Sequence, residues 1–141
     1  MNKVFFDTWG WVAVANESDA HHVKVVGFYR DFLLKGGIPV TSDYVLSETI
    51  TLLRARTNPK DAGIFIDTIL EAARSGRVRL EWIDQKKWEK TWQMCKRYAD
   101  KPGISFVDFT SFVLMKEVGI MKVLTADRHF EEIGLRFEKL F

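Results

Sequence analysis

Four times along the chain a glycine closes a helix-like stretch, and a short apolar run begins just after it. Gly36-Gly37 precede Ile38–Thr41, Gly76 precedes Val78–Ile83, Gly119 precedes Met121–Leu124 and Gly134 precedes Leu135–Phe137, while Val4–Phe6 opens the chain. A glycine in that position is the usual left-handed helix stop, since it adopts that conformation at little cost. Val78, Leu80 and Trp82 alternate with Arg79 and Glu81, the period of a half-buried strand. Pro39 places its strand at a sheet edge or marks the residue where the strand is entered. Between the runs the period becomes helical. Val25, Phe28 and Phe32, joined by Val26, Tyr29 and Leu33, give a helix over Val23–Leu34 a broad apolar face. Ser42 or Asp43 caps a helix to about Arg56, Asn58-Pro59 breaks and restarts the chain, and Asp84 caps a helix with Trp88, Trp92, Cys95 and Ala99 on one side. Strands alternating with helices predict an α/β domain with a mainly parallel central sheet flanked by helices. With no repeat, low-complexity tract or linker, residues 1–141 read as one domain.

A chain of 141 residues buries roughly 68–70% of its unfolded surface on folding, enough for a core without staples. The net charge of +2 is too small to argue for nucleic acid from bulk charge, so that case must rest on local patches. The single cysteine, Cys95, excludes an intramolecular disulfide and a thiolate metal cluster, which fits a reducing compartment. No apolar run approaches the ~18 residues of a membrane span, and Asp7 interrupts the apolar start that a signal peptide needs. The expectation is a soluble, cytoplasmic protein with no membrane partner.

Four acids stand in places where structure alone explains them incompletely. Asp7 directly follows the first apolar run, where parallel sheets bind ligands, although it also suits an N-cap for a helix from Thr8. Glu48 shares a helix face with Val45 and Leu52, with Thr49 beside them, and needs either a partner such as Arg54 or Arg56 or a wet rim position. Asp108 completes a capping box with Ser105, reaching back to the Ser105 backbone N–H. Asp127 lies just past the strand-like Lys122-Val123-Leu124 and suits a cap for the next short helix. Taken singly, each structural reading competes. Taken together, the four positions converge on one edge of a parallel sheet. Carboxylates crowded at about 4 Å repel by ~4 kcal/mol per pair at an effective dielectric near 20. A cation is then needed, and oxygen ligands favour Mg²⁺ or Mn²⁺ over zinc.

The ordered set Phe6-Asp7-Thr8, Ser47-Glu48-Thr49, Ser105-Phe106-Val107-Asp108 and Leu124-Thr125-Ala126-Asp127-Arg128-His129-Phe130 resembles the PIN-domain nucleases. It is especially similar to the VapC-type toxins of bacterial and archaeal toxin–antitoxin pairs. The resemblance runs from Val4 to about Gly134. It implies a three-layer PIN-like fold and a Mg²⁺- or Mn²⁺-dependent endoribonuclease whose catalytic and metal-holding acids are Asp7, Glu48, Asp108 and Asp127. Thr8, Ser105 and Thr125 are implied as hydroxyls that support those acids. An antitoxin is the implied protein partner, and RNA the implied substrate. Trp9 and Trp11 set two bulky aromatics beside Asp7, either narrowing the site or forming a partner surface.

Other chemistries are less well supported. His21, His22 and His129 lack metal-ligand spacing; the first two read as surface residues, and His129 as solvated rather than phosphate-bound. Gly36-Gly37 is no phosphate loop, and no serine or cysteine nucleophile has an evident histidine partner. Lys86, Lys87, Lys90, Lys96, Arg97 and Lys101 read as the solvated side of the Trp88/Trp92 helix. Arg54, Arg56, Lys116 and Arg128 are the better RNA-backbone candidates, because they lie on the segments that carry the acids. The rival functions are a non-catalytic binding module of the same fold and a DNA nuclease or phosphatase using the same acids. The Val23–Leu34 helix, with Trp9, Trp11 and Ile64–Leu70, is expected to form an exposed apolar groove for an amphipathic partner helix, with homodimerisation as the competitor for that surface.

Overall fold

The structure, a computed structural model, describes residues 2–141. The elements in order are β1 (Lys3–Phe6), α1 (Thr8–Ala15), α2 (His22–Leu34), β2 (Ile38–Ser42), α3 (Asp43–Arg56), α4 (Pro59–Arg74), β3 (Arg79–Glu81), α5 (Gln85–Arg97), α6 (Phe106–Val118), β4 (Lys122–Leu124), α7 (His129–Glu132) and β5 (Glu138–Lys139). All strand pairs are parallel, in the spatial order β3-β2-β1-β4-β5. Val4, Phe5 and Phe6 are buried in succession although neighbouring strand side chains point to opposite faces, so helices cover the central strand on both sides. The α/β architecture expected from the glycine punctuation is therefore present. The chain runs outward from β1 to β2 and β3, then returns to the other flank of β1 with β4. The strand order thus reverses between β1 and β4, and the carboxyl ends of those two strands form the crevice where parallel sheets place ligands.

Local detail departs from the sequence reading in several places. Pro39 is not on an edge strand: β2 lies between β1 and β3. Ile38 N–H donates to the Asn2 carbonyl on the β1 side, so the Pro39 nitrogen faces β3, whose pairing starts only at Val40. Pro39 therefore costs no ladder bond, as its strand-entry reading requires. β3 is confined to Arg79–Glu81, and Trp82 is 63% exposed instead of continuing the alternation. The last strand is Glu138–Lys139, not Leu135–Phe137, because Arg136 takes a φ of 67° and breaks the extended run, leaving Phe137 to pack against Phe112 and Phe130. On α5 the buried residue is Thr91, while Trp88 and Trp92 remain half exposed and Ala99 lies beyond the helix.

The expected apolar groove does not form as drawn. Phe32 and Trp11 are core residues, and Phe28 stacks on Phe32 at 5.7 Å beneath the edge of Phe141. What α2 leaves open is Val23, Leu33 and Leu34. One close contact fixes the site's geometry: a Cβ on Gly10 would fall 2.8 Å from the Leu124 carbonyl oxygen. Only glycine lets α1 lie this tightly against the end of β4.

Candidate active site

Asp7 occupies the N-cap position of α1 but makes no side-chain cap bond. Its Oδ2 instead accepts the Thr125 hydroxyl at 2.8 Å, from the segment after β4. Burial, and next the charge of Asp108, push the Asp7 carboxyl up to about 7, against the opposing hydrogen bonds from Thr125 and the Thr8 backbone. Asp7 is thus a buried acid held between its charged and neutral forms near neutral pH.

Glu48 projects from α3, whose start is capped by the Ser42 hydroxyl accepting Val45 N–H at 3.1 Å. Its Oε1 accepts the Thr8 hydroxyl at 2.9 Å. The expected apolar face is only partly real: Val45 is buried, Leu52 is half-buried and Glu48 is exposed at the rim. Neither Arg54 nor Arg56 pairs with it. Partial desolvation raises its pKa, opposed by the Thr8 bond and reinforced by the charges of Asp108 and Asp127.

Asp108 forms only half of the expected capping box. Ser105 Oγ accepts Asp108 N–H at 3.1 Å, but the Asp108 carboxylate does not return to the Ser105 backbone. It turns to His129, whose Nδ1 lies 2.9 Å from Asp108 Oδ2 and 3.3 Å from Asp127 Oδ1. Burial raises the Asp108 pKa, His129 opposes that rise and Asp127 adds to it. The Asp127 backbone N–H donates to Thr125 Oγ1 at 3.1 Å, and its Oδ1 accepts His129 N–H at 2.9 Å. His129 is therefore not the solvated residue expected. Burial lowers its pKa, but the Asp108 bond and the two flanking carboxylates outweigh this and raise it. The only sequence cue to this role was its position two residues after Asp127.

The four acids line one cleft of about 500 Å³ together with Thr8, Ser105, His129 and Arg56. Asp108, Asp127 and His129 bring one ligand atom each to within 4.8 Å of one another, and Asp7 and Glu48 stand outside that tighter group. The quartet is consequently looser than four carboxylates at uniform 4 Å spacing. Thr125 sits behind the cleft as the Asp7 donor. Of the four cations singled out for RNA, only Arg56 lines the cleft. Arg54 lies beside Pro59 and Ala62, Lys116 is two turns along α6 from Asp108, and Arg128 leans toward Glu132 at 3.9 Å. Asp19 also lines the cleft, so five carboxylates face one arginine and one imidazole; with the pKa values of Asp7, Glu48 and Asp108 raised, they leave negative charge that a divalent cation would neutralise. The mostly oxygen donor set fits a hard ion such as Mg²⁺ or Mn²⁺.

Residues 4–135 match the PIN domain family. The chain is 32% identical over 135 residues to the 23S rRNA-specific endonuclease VapC20 of Mycobacterium tuberculosis, covering 93% of this chain and 94% of that protein. The crystal structure of M. tuberculosis VapC20, described as a sarcin–ricin-loop-cleaving toxin, superposes with a TM-score of 0.80 at 32% identity, covering 93% of this chain and 95% of the other. VapBC2 from Rickettsia felis, solved with a promoter DNA fragment, matches at TM-score 0.69 and 15% identity over 97% and 98% of the two chains. At that identity the likeness concerns the fold alone.

Proposed function

The chain belongs to the PIN domain family, and from that premise we propose that it is a metal-dependent endoribonuclease acting as the toxin of a toxin–antitoxin pair. The observation that carries this reading is the cleft at the strand-order reversal, where Asp7, Glu48, Asp108 and Asp127 face a common space with little neutralising charge. VapC20, an rRNA-specific endonuclease related over nearly the full length, supports RNA as the substrate.

In this reading Asp7, Asp108 and Asp127 hold Mg²⁺ or Mn²⁺, with Glu48 completing the set from the rim. When bound, the ion supplies Lewis acidity, activating water and offsetting charge on the phosphodiester. The chain's own groups prepare the site. Thr125 fixes the Asp7 rotamer, Thr8 draws Glu48 inward, and His129 holds the Asp108 and Asp127 carboxylates side by side. Ser105 orders the backbone that presents Asp108. Arg56 meets the RNA backbone at the cleft wall, where its charge offsets the repulsion between acids and phosphates. A cytoplasmic setting accords with the single cysteine and an RNA substrate; no helix among the described residues is long and apolar enough to cross a membrane.

The proposed partner is an antitoxin, a reading supported by the relationship at 32% identity to VapC20, a toxin. Val23, Leu33 and Leu34 on α2 offer it an apolar contact, and a homodimer is the competitor for the same side chains. The test of the nuclease reading is incubation of purified protein with total RNA, single-stranded DNA and p-nitrophenyl phosphate, with Mg²⁺ or Mn²⁺ present. RNA cleavage that chelation and Asp7→Asn both abolish is the expected result. Cleavage of DNA or the small ester alone assigns the acids to another phosphate chemistry, and inactivity on every RNA pool overturns the reading.

A further inference from the structure

Between the acidic cleft and the outer face of α5 runs a row of aromatic rings that neither the core nor the metal site uses. Tyr44 stands one helical turn before Glu48 on α3, and its ring centroid is 6.4 Å from that of Phe106. Phe106 directly follows Ser105, a cleft residue, and lies 5.2 Å from Trp88. Trp92 continues the row one turn further along α5, with Lys96 Nζ 5.9 Å above its ring. Trp88 and Trp92 are 43% and 45% exposed, well beyond what a core role requires of so large a side chain.

Resting on the nuclease reading, we propose that Tyr44, Phe106, Trp88 and Trp92 form a base-stacking subsite for unpaired RNA leading out of the cleft. The surrounding charge favours a polyanion. α5 carries Lys86, Lys87, Lys90, Lys96 and Arg97 against the single acid Glu89. Lys90 and Lys87 are engaged with Glu117 and Asp84, and Lys86 and Arg97 stand on the side of α5 away from the rings, whereas Lys96, over Trp92, has no ion pair among the described residues. Exposed rings with an unpaired cation beside them, as Trp92 has in Lys96, recognise single strands, because every base offers a π-face and every phosphate a charge. Successive rings four residues apart on a helix rise about 6 Å. That spacing suits splayed, unpaired bases better than a duplex, whose steps rise about 3.4 Å. The apolar row alone would equally suit a protein partner; Lys96 and the continuity with the cleft select RNA.

The test uses the full chain carrying Asp7→Asn to suppress cleavage, in Mg²⁺, with a fluorescein-labelled unstructured 12-nucleotide RNA and the same RNA annealed to its complement. Adding Trp88→Ala or Trp92→Ala should weaken single-strand binding roughly fivefold or more per ring and leave duplex binding unchanged, with circular dichroism confirming the fold. Unchanged single-strand affinity overturns the subsite, as does an equal loss on the duplex. Loss of self-association with RNA binding intact also overturns it and makes the rings a chain–chain interface. The nuclease reading fails separately: if the wild type cleaves no RNA but binding still depends on the tryptophans, the subsite stands. If the wild type cleaves RNA with KM unaffected by either tryptophan, only the subsite falls.

Discussion

The Thr125 hydroxyl donates to Asp7 Oδ2 at 2.8 Å, and Thr125 Oγ1 itself accepts the Asp127 backbone N–H at 3.1 Å. One side chain therefore links the ends of β1 and β4 across the point where the strand order reverses. Removing the donor leaves a buried carboxylate with one hydrogen bond fewer. A bond to a charged group is worth about 1.5–3 kcal/mol. Thr125→Val should accordingly weaken Mn²⁺ binding by roughly tenfold to a hundredfold at pH 7, and Thr125→Ser should restore most of it. Calorimetric titration of both variants checks this; equal losses would show that the methyl group, not the hydroxyl, matters.

Asp7 also sets a pH dependence for the metal. Its carboxyl is pushed up to about 7, so below that pH an arriving cation must displace a proton. Mg²⁺ affinity should rise by close to tenfold per pH unit up to about 7 and then level off. Titrations in buffers of different ionisation enthalpy should report release of about one proton per ion at pH 6 and markedly less at pH 8.5.

The same shift predicts that the metal-free protein is destabilised by its own site. A carboxyl whose pKa rises from 3.8 to about 7 on folding favours the folded state fully only below the unfolded value, and that advantage is lost as pH rises through 7. Asp7→Asn removes the cost of ionisation. It should match wild type near pH 4 and exceed it by on the order of 2–4 kcal/mol above pH 7.5 in chelator. Saturating Mg²⁺ should narrow the gap, because only the wild type keeps the full ligand set. Urea denaturation at the two pH values decides it; a variant less stable at both would make Asp7 a structural residue.

The legible part of the fold was what local chemistry determines. Glycine stops, the Ser42 and Ser105 caps and the positions of Asp7 and Asp127 past their strands all follow from short-range rules, and they give the β/α alternation. Strand lengths were not legible, since Arg136 at positive φ and the exposed Trp82 depend on how neighbouring segments pack. The cleft membership of the four acids followed from topology, whereas their spacing did not. His129 was missed because its partner Asp108 lies 21 residues away in sequence, and no helical or strand period connects them. Phe32 looked available to a partner because periodicity reports that a face is apolar, not what covers it.

His129 holds two carboxylates together when no cation does. Its folded pKa lies above the unfolded value, so its contribution is fully present below about 6.5 and disappears as pH rises through the raised value. In chelator, His129→Asn should lower the melting temperature clearly at pH 6 and scarcely at pH 9. A loss of equal size at both would assign the residue to packing. Loss of the ring's hold should also reduce RNA cleavage at subsaturating Mg²⁺, because Asp108 and Asp127 would no longer be presented together to the arriving ion.

The final prediction concerns how tightly α1 must sit. On Gly10 a Cβ would meet the Leu124 carbonyl oxygen at 2.8 Å and the Leu124 side chain at 2.9 Å, and the backbone contact cannot rotate away. Gly10→Ala forces α1 off the end of β4 and carries Asp7 and Thr8 with it. Overpacking of this kind costs about 1–3 kcal/mol, and the displaced Asp7 should weaken Mn²⁺ binding even at temperatures where the variant is fully folded. Gly63 in α4 is the control, since a Cβ there meets nothing within 4 Å. Gly63→Ala should stabilise by up to about 1 kcal/mol through helix propensity and leave metal affinity untouched. If Gly10→Ala behaves like Gly63→Ala in both denaturation and Mn²⁺ titration, close seating of α1 on β4 is not what positions Asp7.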